Sequence, residues 1–362
     1  MSTRGYNTYR GRDGGPRHGG LILLLVLVLL LSGGYLVSQN FLVYDAQGGV
    51  ALELPFLRLE LPFLNRGQPG ENVDKDPAEQ DPPPSPPEDE EDEVNLIIEP
   101  PPPPPEDPLR AREIQLSALA ADTVPGEGRN GLVMEVKGSN GALYFRTDFA
   151  AKDATSGRAV SRESVTELLA GERDWSAVAA LHTFHDSFYA FAHMQDAGIC
   201  QPTGYIWYNF NTFWLEPAKE GTRSYLYGLA RECEAMGFDE ILLRGFTYPT
   251  AGNLHKIDYS SRTVTKEEAL VSFLTGLRET LGEETKISLE LEEALILAGA
   301  EEVSGLDISR LAPLVDRVYV AAEDPEAVWA ALEPYVPEGR TRETYLVLLG
   351  QERETGSFLT TE

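Results

Sequence analysis

The stretch Gly237–Pro249, GFDEILLRGFTYP, decides the fold. Its apolar run is short and near-continuous, with charges at both ends and Gly245 and Pro249 beyond. That is the form of a strand buried on both faces that runs out into a loop. Gly237 also terminates the preceding stretch, TRSYLYGLARECEAMG (222–237), which reads as a helix with a glycine C-cap. Downstream, KEEALVSFLTGLRETLG (266–282) has apolar residues at helical spacing and again stops on glycine. Two more helices are expected at SRESVTELLAG (161–171), with a capping serine, and EAVWAALEPY (326–335). The strand candidates are 114–120, 131–137, 177–184, 239–245, 286–291, 317–322 and 344–350. Strand–helix alternation of this length predicts an α/β fold, a (β/α)8 TIM-type barrel. The connection ADTVPGEGRN between the first two strands is too short for a helix, and SFLTTE stands where an eighth strand belongs. The expectation is therefore a barrel that is irregular, incompletely closed, or completed by a partner.

In such barrels the functional face is built at the C-terminal ends of the strands. That rule selects Glu135 and Lys137 on the second strand, His182, His185 and Asp186 after the third, Arg244 on the fourth and Glu290 on the fifth, followed by Glu292 and Glu293. Glu323 and Asp324 follow the sixth. Glycoside hydrolysis needs two carboxyl groups flanking one bond, and Glu135 and Glu290 are the candidates. The competing reading pairs them with Lys137 or Arg244 as ion pairs inside the mouth. The three histidines His182, His185 and His193 with Asp186 have no strong metal spacing, and no metal or cofactor is expected. The aromatic stretch YIWYNFNTFW (205–214) follows the third strand. Its rings, Trp207 and Trp214 among them, either stack on sugar faces at the mouth or pack the loop internally. Lys137, His185, Asp186, Arg244 and Tyr248 complete the candidate substrate contacts.

Three segments carry a family resemblance. NGLVMEVKGSNGALYF (130–145) is similar to NAVVIDVKDDxGxVxY, HTFHDSFYA (182–190) to VVFKDPxLA, and WLEPAKEGTRSYLYGLARECEAMGFDEILLRGFTYP (214–249) to WVNPYxxEVWDYNIxIAKEAAxLGFDEIQFDYVRFP. These patterns belong to a barrel family of bacterial extracytoplasmic proteins described as "putative glycosyl hydrolase", which the chain resembles from about Gln115 to Gln351. The resemblance implies a TIM barrel and carbohydrate as ligand. The chain departs from the pattern at Glu135 (for Asp), His185 (for Lys), Glu216 (for Asn), Arg244 (for Asp) and Thr247 (for Arg). In barrels of amylase-like organisation, an aspartate ending the fourth strand is the usual nucleophile. Arg244 stays protonated and cannot attack an anomeric carbon. By analogy Glu290 occupies the acid position on the fifth strand.

Organisation upstream is expected to be that of an anchored protein. Residues 1–20 carry Arg4, Arg10, Arg12 and Arg17 against Asp13, and precede the apolar run Leu21–Val37. That run spans roughly 25 Å as a helix, near the lower limit for crossing a bilayer. No small-x-small site follows convincingly, which favours an uncleaved signal anchor over residues 21–38 rather than a cleaved signal peptide. The basic flank places residues 1–20 in the cytoplasm and everything after the anchor outside the cell. Residues 39–65 could form a small hairpin around Gly48-Gly49, lie on the membrane surface, or pair with another copy. Residues 66–111 read as a stiff, disordered acidic Pro-rich spacer. The formal net charge of −28 argues against nucleic acid as a partner. Cys200, expected on a loop above the barrel, and Cys233, expected near the far end of the following helix, lie where a disulfide is chemically possible, but their expected placement disfavours a bridge.

Two readings of function stand side by side, with a purely structural envelope protein as a third. One is a degenerate hydrolase-like barrel that binds a cell-wall or surface glycan, or a protein partner, without cleaving it. The other is an active glycosidase using Glu135 and Glu290, with Arg244 orienting the substrate.

Overall fold

The computed structural model describes residues 106–361 except 210, 211, 261 and 351, together with three short strands nearer the N-terminus. Those three, Leu42–Tyr44, Val50–Leu54 and Leu57–Glu60, pair antiparallel, with Leu42 opposite Leu52 and Leu54 opposite Leu57. The segment read as a small hairpin thus forms strands. The apolar run 21–37 and the acidic run 66–105 lie outside the described residues. No helix among the described residues is long and apolar enough to cross a membrane.

The larger unit is built on eight parallel strands: β1 (Arg110–Gln115), β2 (Gly131–Lys137), β3 (Ser176–His182), β4 (Glu240–Arg244), β5 (Lys286–Glu290), β6 (Arg317–Val320), β7 (Leu346–Leu349) and β8 (Ser357–Thr361). Each pairs with its neighbour in chain order, and β8 pairs with β1, Leu359 opposite Ala111 and Thr361 opposite Glu113. The sheet is a closed barrel. This corrects the expectation of incomplete closure or of completion by a partner: SFLTT is the missing strand. The barrel is irregular in its helices, since the β1–β2 connection carries a 3-10 turn and no α-helix, as its length predicted. The first strand also starts earlier than its apolar run suggested. It begins at Arg110, and Leu116–Ala118 turns as a short 3-10 helix. Leu109 is buried and Glu106 is held by ion pairs, so the last residues of the expected spacer belong to the barrel.

The helices fall where their caps predicted. α1 (Arg162–Leu169) starts at Ser161, whose hydroxyl accepts from the Ser164 N–H. α2 (Glu220–Met236) stops at Gly237, whose φ of 95° few other residues adopt. α3 (Lys266–Thr280) carries a reciprocal capping box between Thr265 and Glu268. α4 (Glu293–Ala298) and α5 (Pro325–Leu332) follow, α5 capped by Asp324.

Alternation along each strand sorts side chains into two cores. Leu132, Met134, Ile241 and Leu243 face outward against Tyr225, Leu229 and Cys233 of α2 and Phe273 and Leu277 of α3. Ala111, Val133, Val178, Ala180, Leu242, Tyr319, Val347 and Leu359 fill the barrel's interior. Below this apolar layer lies a charged one. Buried Arg317 pairs with Glu240, which also accepts from the Tyr319 hydroxyl at 2.7 Å. Glu106 reaches Arg317 at 2.6 Å and also pairs with Lys286 and Arg340. Above the apolar layer the interior-facing residues are again ionisable, and these form the mouth. Cys200 and Cys233 are both free.

Candidate functional site

Each strand of the first five places one ionisable residue at the mouth: Glu113, Glu135, His182, Arg244 and Glu290. Alternation puts Glu113 two residues beyond Ala111, Glu135 beyond Val133, His182 beyond Ala180 and Arg244 beyond Leu242, so all four continue the interior face. Arg244 lies at the centre of the set. Its Nη1 and Nη2 donate to the two oxygens of Glu113 at 2.8 and 2.9 Å, a bidentate fork. Its Nε donates to Glu290 Oε2 at 2.8 Å. Burial works against the guanidinium's charge, but Glu113 and Glu290 outweigh it, and the group stays protonated at every accessible pH.

Glu135 makes no such pair. Burial raises its pKa, Arg244 opposes the rise, the Glu113 charge adds to it, and a hydrogen bond from Tyr144 lowers it again. The net direction is upward. Glu113, Glu135, Tyr144, Arg158 and Thr361 line a cavity of about 530 Å³, within the usual range for a small-ligand site. Glu290 is not part of that lining. His182 approaches Glu135 at 3.7 Å. Burial and the charges of Lys137 and Arg244 push its pKa down to about 3, so the approach joins a neutral imidazole to the carboxyl group and is no ion pair.

Several expected substrate contacts turn out to be scaffold. Lys137 and Asp186 are fully buried and joined at 3.1 Å. Lys137 also donates to the carbonyls of His182 and His185 at 2.8 and 3.1 Å. Asp186 accepts from the Phe188 and Tyr189 N–H groups and the Tyr225 hydroxyl. The expectation that this pair meets substrate is therefore corrected: its polar atoms are spent on shaping the loop after β3. The physical reason is a β-bulge. Glu135 stands opposite Ala180, yet Lys137 stands opposite Leu181, so two residues of β2 face one of β3 and the alternation breaks. Trp207 is likewise buried, with its indole N–H on the Asn253 carbonyl. Trp214 is buried with its ring edge-on to His185 at 3.7 Å between centroids. Burial and the Lys137 charge hold His185 neutral, down to about 4. Tyr248 is buried with its hydroxyl on Glu216, which joins the loops after β3 and β4. The two tryptophans of the aromatic stretch thus pack against other segments, and Phe213 meets the rings of Phe191 and Tyr208, while Tyr205, Tyr208 and Phe191 keep exposed rings, at 72, 58 and 58 %.

Two mouth residues escaped the sequence reading. Glu113 preceded the expected start of its strand, although the strand-end rule selects it once β1 is placed correctly. Tyr144 lies on a short strand, Leu143–Phe145, that turns back along β2, and its reach to Glu135 depends on that turn.

A closed parallel barrel with ionisable groups gathered at its C-terminal mouth has the layout in which barrel proteins place their functional sites. Residues 115–320, more than half of the chain, match the family described as "Putative glycosyl hydrolase domain", and the chain belongs to that family. No curated protein matches it. Among solved structures it is similar to a hypothetical protein from Ruminiclostridium thermocellum ATCC 27405, at 19% identity over 49% of this chain and 96% of that one, with a TM-score of 0.41. It is similar to the glycoside hydrolase domain of PelA from Pseudomonas aeruginosa, at 13% identity over 69% of this chain and 86% of that one, with a TM-score of 0.39. A third is Aspergillus fumigatus Ega3 in complex with galactosamine, at 8% identity over 68% and 78%, with a TM-score of 0.37.

Proposed function

We propose that this barrel binds a cell-wall or surface glycan at its mouth without cleaving it, held outside the cell by an N-terminal membrane anchor and an acidic, Pro-rich spacer. The observation that carries the reading is Arg244. It stands where a hydrolase of this kind carries a carboxylate, and it holds both Glu113 and Glu290 in ion pairs at 2.8 Å. A carboxylate locked to a guanidinium is a poor nucleophile and a poor proton acceptor. The remaining carboxyl group, Glu135, has a raised pKa and suits hydrogen bonding to sugar hydroxyls in the cavity beside it. The anchor and spacer rest on the sequence of residues 1–105.

A second reading has one observation in its favour. A raised carboxyl pKa beside a second carboxylate is also what a general acid requires. Glu135 as acid, with Glu290 or with Glu113, which lines the same cavity, as its partner, would make the barrel an active glycosidase. Turnover and binding assays on wall-derived oligosaccharides separate the two. Saturable binding with no turnover supports the proposal. Turnover abolished in Glu135→Gln and in Glu290→Gln or Glu113→Gln overturns it. Absence of both binding and turnover across the panel rejects carbohydrate as the ligand.

A further inference from the structure

A second cavity, of about 480 Å³, opens on the same end of the barrel between the loops that follow β3 and β4. Its lining residues fall in the connection from β3 to α2 and in the one from β4 to α3, and both connections leave from C-terminal strand ends. Glu216, Lys219, Tyr259 and Arg262 are among its lining. We propose that this cavity is a carbohydrate subsite that takes a neutral pyranose through its hydroxyl groups. This deepens the reading of the barrel as a glycan binder and rests on it.

The polar inventory sets the class of ligand. Arg262 Nη1 and the Tyr259 hydroxyl are buried and have no hydrogen-bond partner among the described residues. Leaving such donors unmet is costly, and a ligand oxygen would satisfy them. The Arg262 guanidinium is held in place, 4.4 Å from the centre of the Tyr259 ring and 5.5 Å from that of Tyr248. The donors are therefore positioned before any ligand arrives. On the acceptor side, Glu216 Oε1 takes the Tyr248 hydroxyl and, at 3.4 Å, the Ala218 N–H. A carboxylate accepts about four hydrogen bonds, so capacity remains.

Formal charge in the cavity balances. Arg262 and Lys219 stand against Glu216 and Asp258. Lys219 spends its donors on the carbonyls of Gln195 and Gly198, both at 2.8 Å, and Met194 at 3.4 Å. An anion would meet Glu216 and Asp258, and a cation would meet Arg262 and Lys219. Neighbouring hydroxyls, which accept from Arg262 and Tyr259 and donate to Glu216, match the cavity without adding charge. Tyr205, next in the chain to the lining residue Gly204, has an exposed ring of the kind that packs on the apolar face of a pyranose.

The test titrates the full chain with glucose, galactose and N-acetylglucosamine, with glucuronate as the charged control, following amide shifts by NMR. A neutral sugar is expected to shift residues 195–219 and 258–263. Tyr259→Phe, which removes only the hydroxyl, and Arg262→Met should each weaken that binding about 10-fold, with thermal unfolding used to confirm that both variants fold. Glu106→Gln, at the opposite end of the barrel, should leave it unchanged, and Glu135→Gln should weaken only shifts at the mouth. The proposal is overturned if no neutral sugar shifts these residues, if glucuronate binds there as tightly, or if both variants bind as before. Binding that responds to Glu135→Gln alone would keep the mouth reading and reject this one. Shifts at 195–219 and 258–263 that only Tyr259→Phe and Arg262→Met weaken, beside separate shifts at the mouth that Glu135→Gln weakens, are what both readings require; shifts confined to the second cavity reject the mouth reading alone.

Discussion

Lys137 offers the sharpest test of how the mouth is supported. In Lys137→Met the side chain keeps its approximate length and loses its charge. Asp186 would then sit buried beside an apolar group, with only two backbone N–H groups and the Tyr225 hydroxyl to hold it. The carbonyls of His182 and His185 would lose the donor they now meet at 2.8 and 3.1 Å. Breaking a buried pair from one side costs about 3–5 kcal/mol. For a domain of this size each kcal/mol lowers Tm by about 2–4 °C, so the expected fall is about 6–20 °C. Asp186→Asn should be costly for the same reason. Because the two groups touch, the double variant should fall short of the summed single effects by about 0.5–3 kcal/mol. Urea unfolding followed by circular dichroism measures all three. A Lys137→Met protein with an unchanged midpoint but lost glycan binding would refute the argument and return Lys137 to the list of ligand contacts.

Three other outcomes follow from the same geometry. Gly141 has a φ of 90°, and a Cβ there would overlap the Asp186 carboxylate; Gly141→Ala should cost about 2 kcal/mol or more, read from the urea midpoint. His182, with its pKa depressed from 6.5 to about 3, contributes stability that is present above pH 6.5 and lost as pH falls toward 3; His182→Gln should flatten that part of the stability profile, and an NMR titration showing the wild-type imidazole protonating near its ordinary value would contradict this. Glu106→Gln should lower stability by about 1–2 kcal/mol through its ion pair with Arg317 and leave sugar binding untouched, since it acts at the opposite end of the barrel from the mouth.

Much of this barrel is legible in the sequence because its strands are buried on both faces. GFDEILLRGFTYP announces β4 by its apolar centre, and its flanking helices announce themselves by caps. The strand-end rule then finds Glu135, Arg244 and Glu290. β8 is harder to see. Ser357, Leu359 and Thr361 supply its interior face, and two of those three are polar, so SFLTT lacks the apolar run that marks the other strands. Glu113 was hidden for a related reason: hydrophobicity locates the middle of a strand better than its ends, and β1 starts among charged residues. Lys137 could not be placed by alternation because the bulge after Glu135 cancels it. The union of Glu216 with Tyr248 joins two loops whose paths no local pattern specifies.

The pairing of β8 with β1 has a consequence for how the protein is made. Leu109 N–H donates to the Ser357 hydroxyl at 2.8 Å across a separation of 248 residues. Synthesis delivers β1 before the other barrel strands and β8 after them, so a growing chain holds seven strands with two unsatisfied edges until β8 emerges. Ordering so long a loop is entropically unfavourable, and open parallel edges invite association with other chains. Completion of the ring, and with it the placing of Glu113 beside Thr361 at the mouth, is therefore a late event in biogenesis. The nascent barrel is most exposed to aggregation, and most in need of chaperones, just before its last strand arrives.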